Sequence, residues 1–435
     1  MIFRILIIVL LATSFFSTSC NAKKKIGKPI KHGHHPPTIN NVKRKPQTNA
    51  IIDIQAFGAK GDGLTDDTEA FIKAWKKTCK TQNGVLLIPR HKIYYIGPIK
   101  FDGPCRKGLR MMINGELRAS KDVSDYKEDR RHWLLFQNME NFIVEGVGSI
   151  DGNGQVWWKR SCKVDKTIQC NTKTLTVPTA MSFYNCTNLI VRNLELKNPQ
   201  KMHLTITKSK LVEVSRLRIT APADSPNTDG IHVSGTKNID IHHSYIETGD
   251  DCISIVNGST NVRARYIHCG PGHGISIGSL GKNKAEDVVS NIYVHDATLR
   301  GTTNGLRIKS WQGGRGYAKD ILFQDIEMMN VSNPIIIDQF YCDQDKPCKE
   351  QKEAVHVSNI MYKNIKGTSS TQTAIKLNCS KSVPCKGIQM ENVNIRHEGG
   401  STVKALCATA NVKYSTKGVL FPKCPSQHKW AFLWN

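Results

Sequence analysis

The chain has 435 residues, with 61 Lys and Arg against 36 Asp and Glu and a formal net charge of +25. Charged residues at 22% and aromatics at 7% exclude wholesale disorder and a membrane-embedded chain. The length suits two or three ordinary domains or one large repetitive one, and the basic excess points to polyanionic partners: nucleic acid, anionic lipid or an acidic polysaccharide.

Residues 1–19 carry one arginine, a short apolar run and then small polar residues. This is the pattern of a secretory signal, with cleavage expected after Ala22. The apolar run is short for a bilayer span and is followed at once by Lys23, Lys24 and Lys25, which argues against a retained anchor. Removing residues 1–22 takes Arg4 and no acid, leaving +24 on 413 residues and 13 of the 14 cysteines. An odd number in a secreted chain implies disulfides with at least one thiol left over. The cysteines lack zinc spacing; Cys342 with Cys348 and Cys379 with Cys385 read as local loop staples. Asn185, Asn257, Asn330 and Asn378 head Asn-x-Ser/Thr triplets and are candidates for N-glycosylation.

Residues 23–50 read as a linker. They hold eight Lys and Arg, no acid, four prolines and the cluster His32, His34 and His35. Such a segment buries too little apolar surface to fold alone, so it is expected to act as a tether or an electrostatic contact for a polyanionic matrix, not as a metal site. The folded domain, 51–435, keeps +16. Asp66 and Glu69 have the spacing of a capping box, and Ala70, Phe71, Ala74 and Trp75 recur at helical spacing, which predicts one amphipathic helix over 66–79. Beyond it an apolar–x–apolar motif recurs, starting at Phe142, Leu189, Leu211, Ile239, Val262, Ile292, Ile321, Ile360 and Ile388. The gaps are 47, 22, 28, 23, 30, 29, 39 and 28, the first long enough for two turns. Alternating apolar residues at a period in the twenties suit a coiled sheet whose turns stack inward faces on one another. The expected fold is therefore all-β: a right-handed parallel β-helix, its N-terminal end capped by the short helix, with no even spacing to suggest a sandwich or propeller.

Between 224 and 309 lie DSPNTDGIH, ETGDDCISI, CGPGHGISIGSLG and NGLRIKSW. Asp229, Asp250 and His273 are separated by 21 and 23 residues, one coil each. They should therefore stand in a column at about 4.8 Å per strand, with Asp251 beside Asp250. Arg307 and Lys309 follow one longer coil on and, as i and i+2 of a strand, share a face. Any one of these alone has an ordinary structural use: a turn Asp satisfies backbone, a His among glycines packs, an Arg-x-Lys strand is solvated. Three carboxylates, an imidazole and two cations in one column are costly to assemble without a function. The chain has no Gly-x-Ser-x-Gly, nucleotide loop or supported Cys/His dyad. Paired carboxylates suit glycoside hydrolysis, one protonating the leaving oxygen and another activating water. Crowding should raise one carboxyl so that it stays protonated. Arg307 and Lys309 would hold a substrate carboxylate, so Lys309→Ala should mainly raise KM.

The sequence resembles the plant polygalacturonases, pectin-degrading glycoside hydrolases, in Asn227-Thr228-Asp229-Gly230, Gly249-Asp250-Asp251, Gly272-His273-Gly274 and Arg307-Ile308-Lys309. FGAKGDGLTDDTEAFIKAW (57–75), SIGSLG (276–281) and NPIIIDQFYC (333–342) are similar to it too, and the likeness spans residues 50–425. The resemblance implies inverting hydrolysis of α-1,4-galacturonosyl bonds of de-esterified homogalacturonan, with no cofactor and no metal. It makes Asp250 the general acid and Asp229 with Asp251 the water-activating pair, and gives His273 a part in keeping the acid protonated. It gives Arg307 and Lys309 the galacturonate carboxylate, makes Tyr341 a substrate contact and Asn227 a site-shaping residue, and pairs Cys252 with Cys269. The expected protein is a monomer secreted to the cell wall, with pectin and not nucleic acid as partner and no stable membrane insertion after signal cleavage; endo against exo attack depends on the loops that close the cleft ends, with endo slightly favoured. The 23–48 stretch lies outside the common core, and the final HKWAFLWN departs from the family pattern. Two other classes stay in view: a pectate or rhamnogalacturonan lyase on the same fold, and a non-catalytic pectin-binding protein.

Overall fold

The computed structural model describes residues 49–168, 176–343, 348–415 and 422–424. The expected signal, nearly all of the basic linker and the final octapeptide lie outside the described residues. The rest is a right-handed parallel β-helix. One face is an eleven-stranded sheet, parallel throughout, built from Ile99–Asp102 (β1), His132–Gln137 (β2), Thr179–Tyr184 (β3), Leu204–Thr207 (β4), Ile231–Ser234 (β5), Ile253–Ile255 (β6), Ile275–Leu280 (β7), Asn304–Trp311 (β8), Asn333–Tyr341 (β9), Thr373–Asn378 (β10) and Lys404–Ala408 (β11). The remaining wall is a nineteen-stranded parallel sheet. Among the described residues no helix is long and apolar enough to cross a membrane.

The repeating motif sets the register of that second wall. Phe142, Leu189, Val212, Ile239, Val262, Ile292, Ile321, Ile360 and Ile388 pair in one unbroken column. Eight of its nine members match the sequence expectation; the third is Val212, not Leu211. Leu211 is 54% exposed with φ +56°. It stands at the left-handed corner that other coils fill with Asn141, Asn188, Asn238 or Asn261, residues that tolerate this backbone and bond from coil to coil. Phe142 pairs directly with Leu189, so the 47-residue gap is a single coil with a long excursion, not two turns.

The helix is two residues shorter than expected, Thr68–Cys79 (α1). No capping box forms: Asp66 accepts from the Thr68 N–H, Asp67 accepts from Lys60 and Gly61, and Glu69 pairs instead with Lys73 at 3.0 Å. Its apolar stripe behaves as predicted, with Trp75 edge-on to Phe101 and Phe142 at 5.0 and 5.9 Å. From there the inward column of the eleven-stranded sheet runs Phe101, Phe136, Phe183, Ile206, Val233, Ile255, Ile277, Ile308 and Ile337, all buried. Burying each such side chain contributes about 1.5–3 kcal/mol, which fixes the register of the opposite, outward face. That face is polar: Ser182, Thr205, His232, Ser254, Ser276 and Arg307 lie side by side on β3 to β8.

Cys252–Cys269, Cys342–Cys348 and Cys379–Cys385 are disulfides as expected. Cys79–Cys105 and Cys407–Cys424 add two that spacing did not suggest. The leftover thiol among the described residues is Cys186, buried and pushed up to about 11 by that burial. Of the candidate glycan acceptors, Asn185, Asn257 and Asn330 are exposed. The Asn185 amide donates to Asn138 at 2.7 Å, and half-buried Asn378 donates to Asp338 at 3.1 Å.

Candidate active site

The four motifs fall on the outward face of the eleven-stranded sheet and in the turns that feed it. Asp229 precedes β5, Asp250 and Asp251 precede β6, His273 precedes β7, and Arg307 and Lys309 lie within β8. The turns are tight because they must stack. At Gly272, with φ +135°, an added Cβ would lie 2.6 Å from the Asp250 carbonyl oxygen. At Gly249 it would lie 2.0 Å from that of Ser225. The Cys252–Cys269 bond ties the residue that follows the acid pair, just ahead of β6, to the end of the strand Thr260–Cys269 in the nineteen-stranded wall.

Asp250 is the more open of the pair, its side chain 16% exposed beside His273 at 40%. Its Oδ1 lies 2.9 Å from His273 Nδ1 and accepts from the Asp251 N–H at 2.8 Å, while Oδ2 accepts from the Asn227 amide at 3.3 Å. Asn227 reaches it from a left-handed backbone position, φ +56°. Asp251 is 2% exposed and held at both oxygens: Oδ1 accepts from Ser276 at 2.7 Å and Arg307 at 2.6 Å, and Oδ2 from Lys309 at 3.0 Å. The Lys309 ammonium also lies 5.3 Å from the ring centre of Tyr341, on β9. Asp229 accepts from Ser254 at 2.9 Å.

Two outcomes differ from the sequence expectation. The cations expected to meet substrate are engaged with Asp251 in the free protein. Also, the carboxyl that crowding raises is Asp229, well above the usual range. Burial is the main cause, and the charges of Asp250 and Asp251 add to it. Burial would raise Asp250 too, but the His273 hydrogen bond and charge, with Lys309, hold it down at about 2, so in the free protein His273 opposes protonation of this carboxyl, contrary to the part the resemblance gives it. Of the three carboxyls, Asp229 is the one whose surroundings favour a proton.

Ser254, Ser276 and His232 complete the network and were not singled out in the sequence. A rule would have found them: each stands three residues after a motif residue, His232 after Asp229, Ser254 after Asp251, Ser276 after His273, as Arg307 stands after Asn304. One turn residue, one inward residue and one outward residue make that offset. Asp250, Asp251 and His273 present ligand atoms within 4.8 Å of one another. Yet both Asp251 oxygens are held by Ser276, Arg307 and Lys309, a donor set that fits an ion-paired acid cluster better than a cation cage.

Residues 41–416 match the family model of glycosyl hydrolases family 28. The chain is 50% identical over 413 residues to Polygalacturonase QRT2 of Arabidopsis thaliana, covering 93% of this chain and 92% of that protein. It is 51% identical over 374 residues to a polygalacturonase of Malus domestica, covering 86% and 79%. Among solved structures, endo-xylogalacturonan hydrolase from Aspergillus tubingensis superposes with a TM-score of 0.73 at 25% identity, covering 87% of this chain and 99% of that one. The hyperthermoactive exopolygalacturonase from Thermotoga maritima gives 0.71 at 22%, covering 86% and 92%. With this match across nearly the whole β-helix, acid column included, the chain belongs to glycosyl hydrolases family 28.

Proposed function

We propose that the protein hydrolyses α-1,4-galacturonosyl bonds of de-esterified homogalacturonan with inversion, as a secreted, monomeric cell-wall enzyme. The observation that carries this is the stacking of Asp229, Asp250–Asp251, His273 and the Arg307/Lys309 pair on successive coils of one sheet in a family 28 chain. Asp250 serves as the acid, since it is the carboxylate that opens to the cleft. An arriving galacturonate brings its own negative charge and excludes water, and both effects raise Asp250's affinity for a proton. Asp250 then holds the proton and Asp229 ionises, as coupled sites that share one proton allow. Asp229, now ionised, takes a proton from the attacking water together with Asp251, while Asp250 protonates the leaving oxygen. Arg307, Lys309 and Tyr341 hold the substrate, Asn227 orients the acid, and His273 tunes it.

Inversion predicts that proton NMR of the first-formed product shows the β-anomer from the α-linked substrate; an initial α-anomer would mean a covalent nucleophile. A new end that absorbs in the ultraviolet would instead mark elimination by a lyase. If free carboxylates drive binding, kcat/KM should fall as methyl-esterification rises, and salt should weaken binding to the de-esterified polymer. Equal rates across esterification would remove the carboxylate clamp. Endo attack is the proposed mode. The outward face continues past the acids to Ser182 and Thr205 on one side and through Ile336 to Lys376 on the other, so a chain has floor in both directions. Product sizing tests it: early oligomers support endo, monomer alone exo.

A further inference from the structure

Two residues outside the four motifs reach the buried carboxyl of Asp229. Ser254 on β6, 2% exposed, places its hydroxyl 2.9 Å from Asp229 Oδ2. His232 on β5, half-buried in the same floor, holds Nδ1 2.7 Å from that hydroxyl oxygen. The two are register partners on the outward face, so the parallel ladder itself sets the contact. Ser254 has one proton to give. An ionised Asp229 can only accept, so the hydroxyl donates to it, and the serine oxygen then accepts from His232, which must carry its proton on Nδ1. Burial, followed by the charge of Lys201, lowers His232 to about 4, so the ring is a neutral donor across the range in which a carboxylate base would work.

We propose that His232 and Ser254 form a positioning chain that holds Asp229 as an ionised and correctly turned base. This rests on the reading of Asp229 as the base in pectate hydrolysis. The charged and titratable groups facing Asp229 are Asp250 and Asp251 from the turn before β6 and Lys309 from β8. Behind it lies His203, whose Nδ1 is 3.1 Å from the Asp229 carbonyl oxygen. Arg307 and His273 act one step further away, through Asp251 and Asp250. The two carboxylates favour a proton on Asp229 and Lys309 opposes it. Among the described residues, the Ser254 hydroxyl supplies the side-chain hydrogen bond to that carboxylate, and it favours the ionised form. By anchoring Oδ2 it leaves Oδ1 for the water. His232 keeps the hydroxyl from turning away.

The test is the pH dependence of kcat and kcat/KM on de-esterified polygalacturonate for wild type, Ser254→Ala, His232→Phe and the double variant. Ser254→Ala should lower kcat about ten-fold or more, with KM within about two-fold. The acidic limb of kcat/KM, which reports the base of the free enzyme, should move up by about one pH unit. His232→Phe should move the limb in the same direction by less, and the double variant should be no worse than Ser254→Ala, because the chain is already broken. Ser254→Thr, which restores the hydroxyl, should return both quantities towards wild type, an outcome that loss of packing alone would not give. An unmoved limb in Ser254→Ala, or losses that add in the double variant, would overturn the proposal. Should Ser254→Ala fail to fold by circular dichroism, Ser254→Cys keeps the volume with a poorer donor and carries the same test. A wild-type protein inactive on the polymer would refute the pectate reading instead, so the two failures are distinct.

Discussion

Asp250→Asn is expected to cut kcat on polygalacturonate by about 10²–10⁴-fold while KM stays nearly unchanged. The substitution keeps the shape of the side chain, and with its carbonyl oxygen in the place of Oδ1 it still accepts from the Asp251 N–H, while its amide nitrogen meets Asn227 only if the Asn227 amide turns its oxygen inward. What it removes is a proton that can be given to the leaving oxygen. It also removes one of the two negative charges that raise Asp229, so the neighbour should ionise more readily than in the wild type. The variant would then have a competent base and no acid, and substrates with an activated leaving group, which need no protonation, should lose far less. A variant that keeps more than half of wild-type turnover on the polymer, or one equally impaired on both substrates, would take the acid role away from Asp250.

Most of the fold was legible because the β-helix writes one coil after another in the same alphabet. Inward positions must be apolar and stack in register, so Phe142 through Ile388 announce themselves by recurrence alone. Leu211 misled for a physical reason. An apolar residue at an exposed left-handed corner looks like the start of the inward pair, and only pairing with Leu189 shows that Val212 holds the place. The acid column was legible for the same reason as the core, since one-coil spacing stacks turns as well as strands. Proton placement was not legible. Spacing can say that Asp229, Asp250 and Asp251 are crowded; it cannot say that His273 stands against Asp250 alone, or that Asp251 is the one held at both oxygens by cations. Those outcomes depend on which oxygen each neighbouring coil reaches. Ser254 and His232 escaped notice because Ser and His on an outward strand face are unremarkable until the residue three positions ahead of each proves to be an acid in a turn.

Lys309→Ala should lower kcat as well as raise KM, where the sequence alone suggests a KM effect. The side chain is 10% exposed and its ammonium lies 3.0 Å from Asp251 Oδ2, so in the free enzyme it belongs to the acid cluster before any substrate arrives. Its charge lowers the proton affinity of both Asp229 and Asp250. Without it both carboxyls hold protons more tightly, and the base is available only at higher pH, so the acidic limb of kcat/KM should shift upward. Asp251 keeps Arg307 and Ser276 but loses a charge-assisted hydrogen bond in a buried setting, a loss of about 2 kcal/mol in stability. The substrate term persists: an incoming galacturonate carboxylate loses one cation near Tyr341, so KM should rise too. The combined expectation is a fall in kcat/KM of about 10²-fold or more, divided between both constants. Thermal unfolding and a full pH profile of kcat and KM on the same polymer separate the contributions. If KM alone rises and the limb does not move, Lys309 acts only on the substrate, and the ion pair with Asp251 is an idle arrangement of the unliganded site. If kcat falls and the limb shifts while KM is constant, the lysine serves the acids alone and the galacturonate carboxylate is held by Arg307.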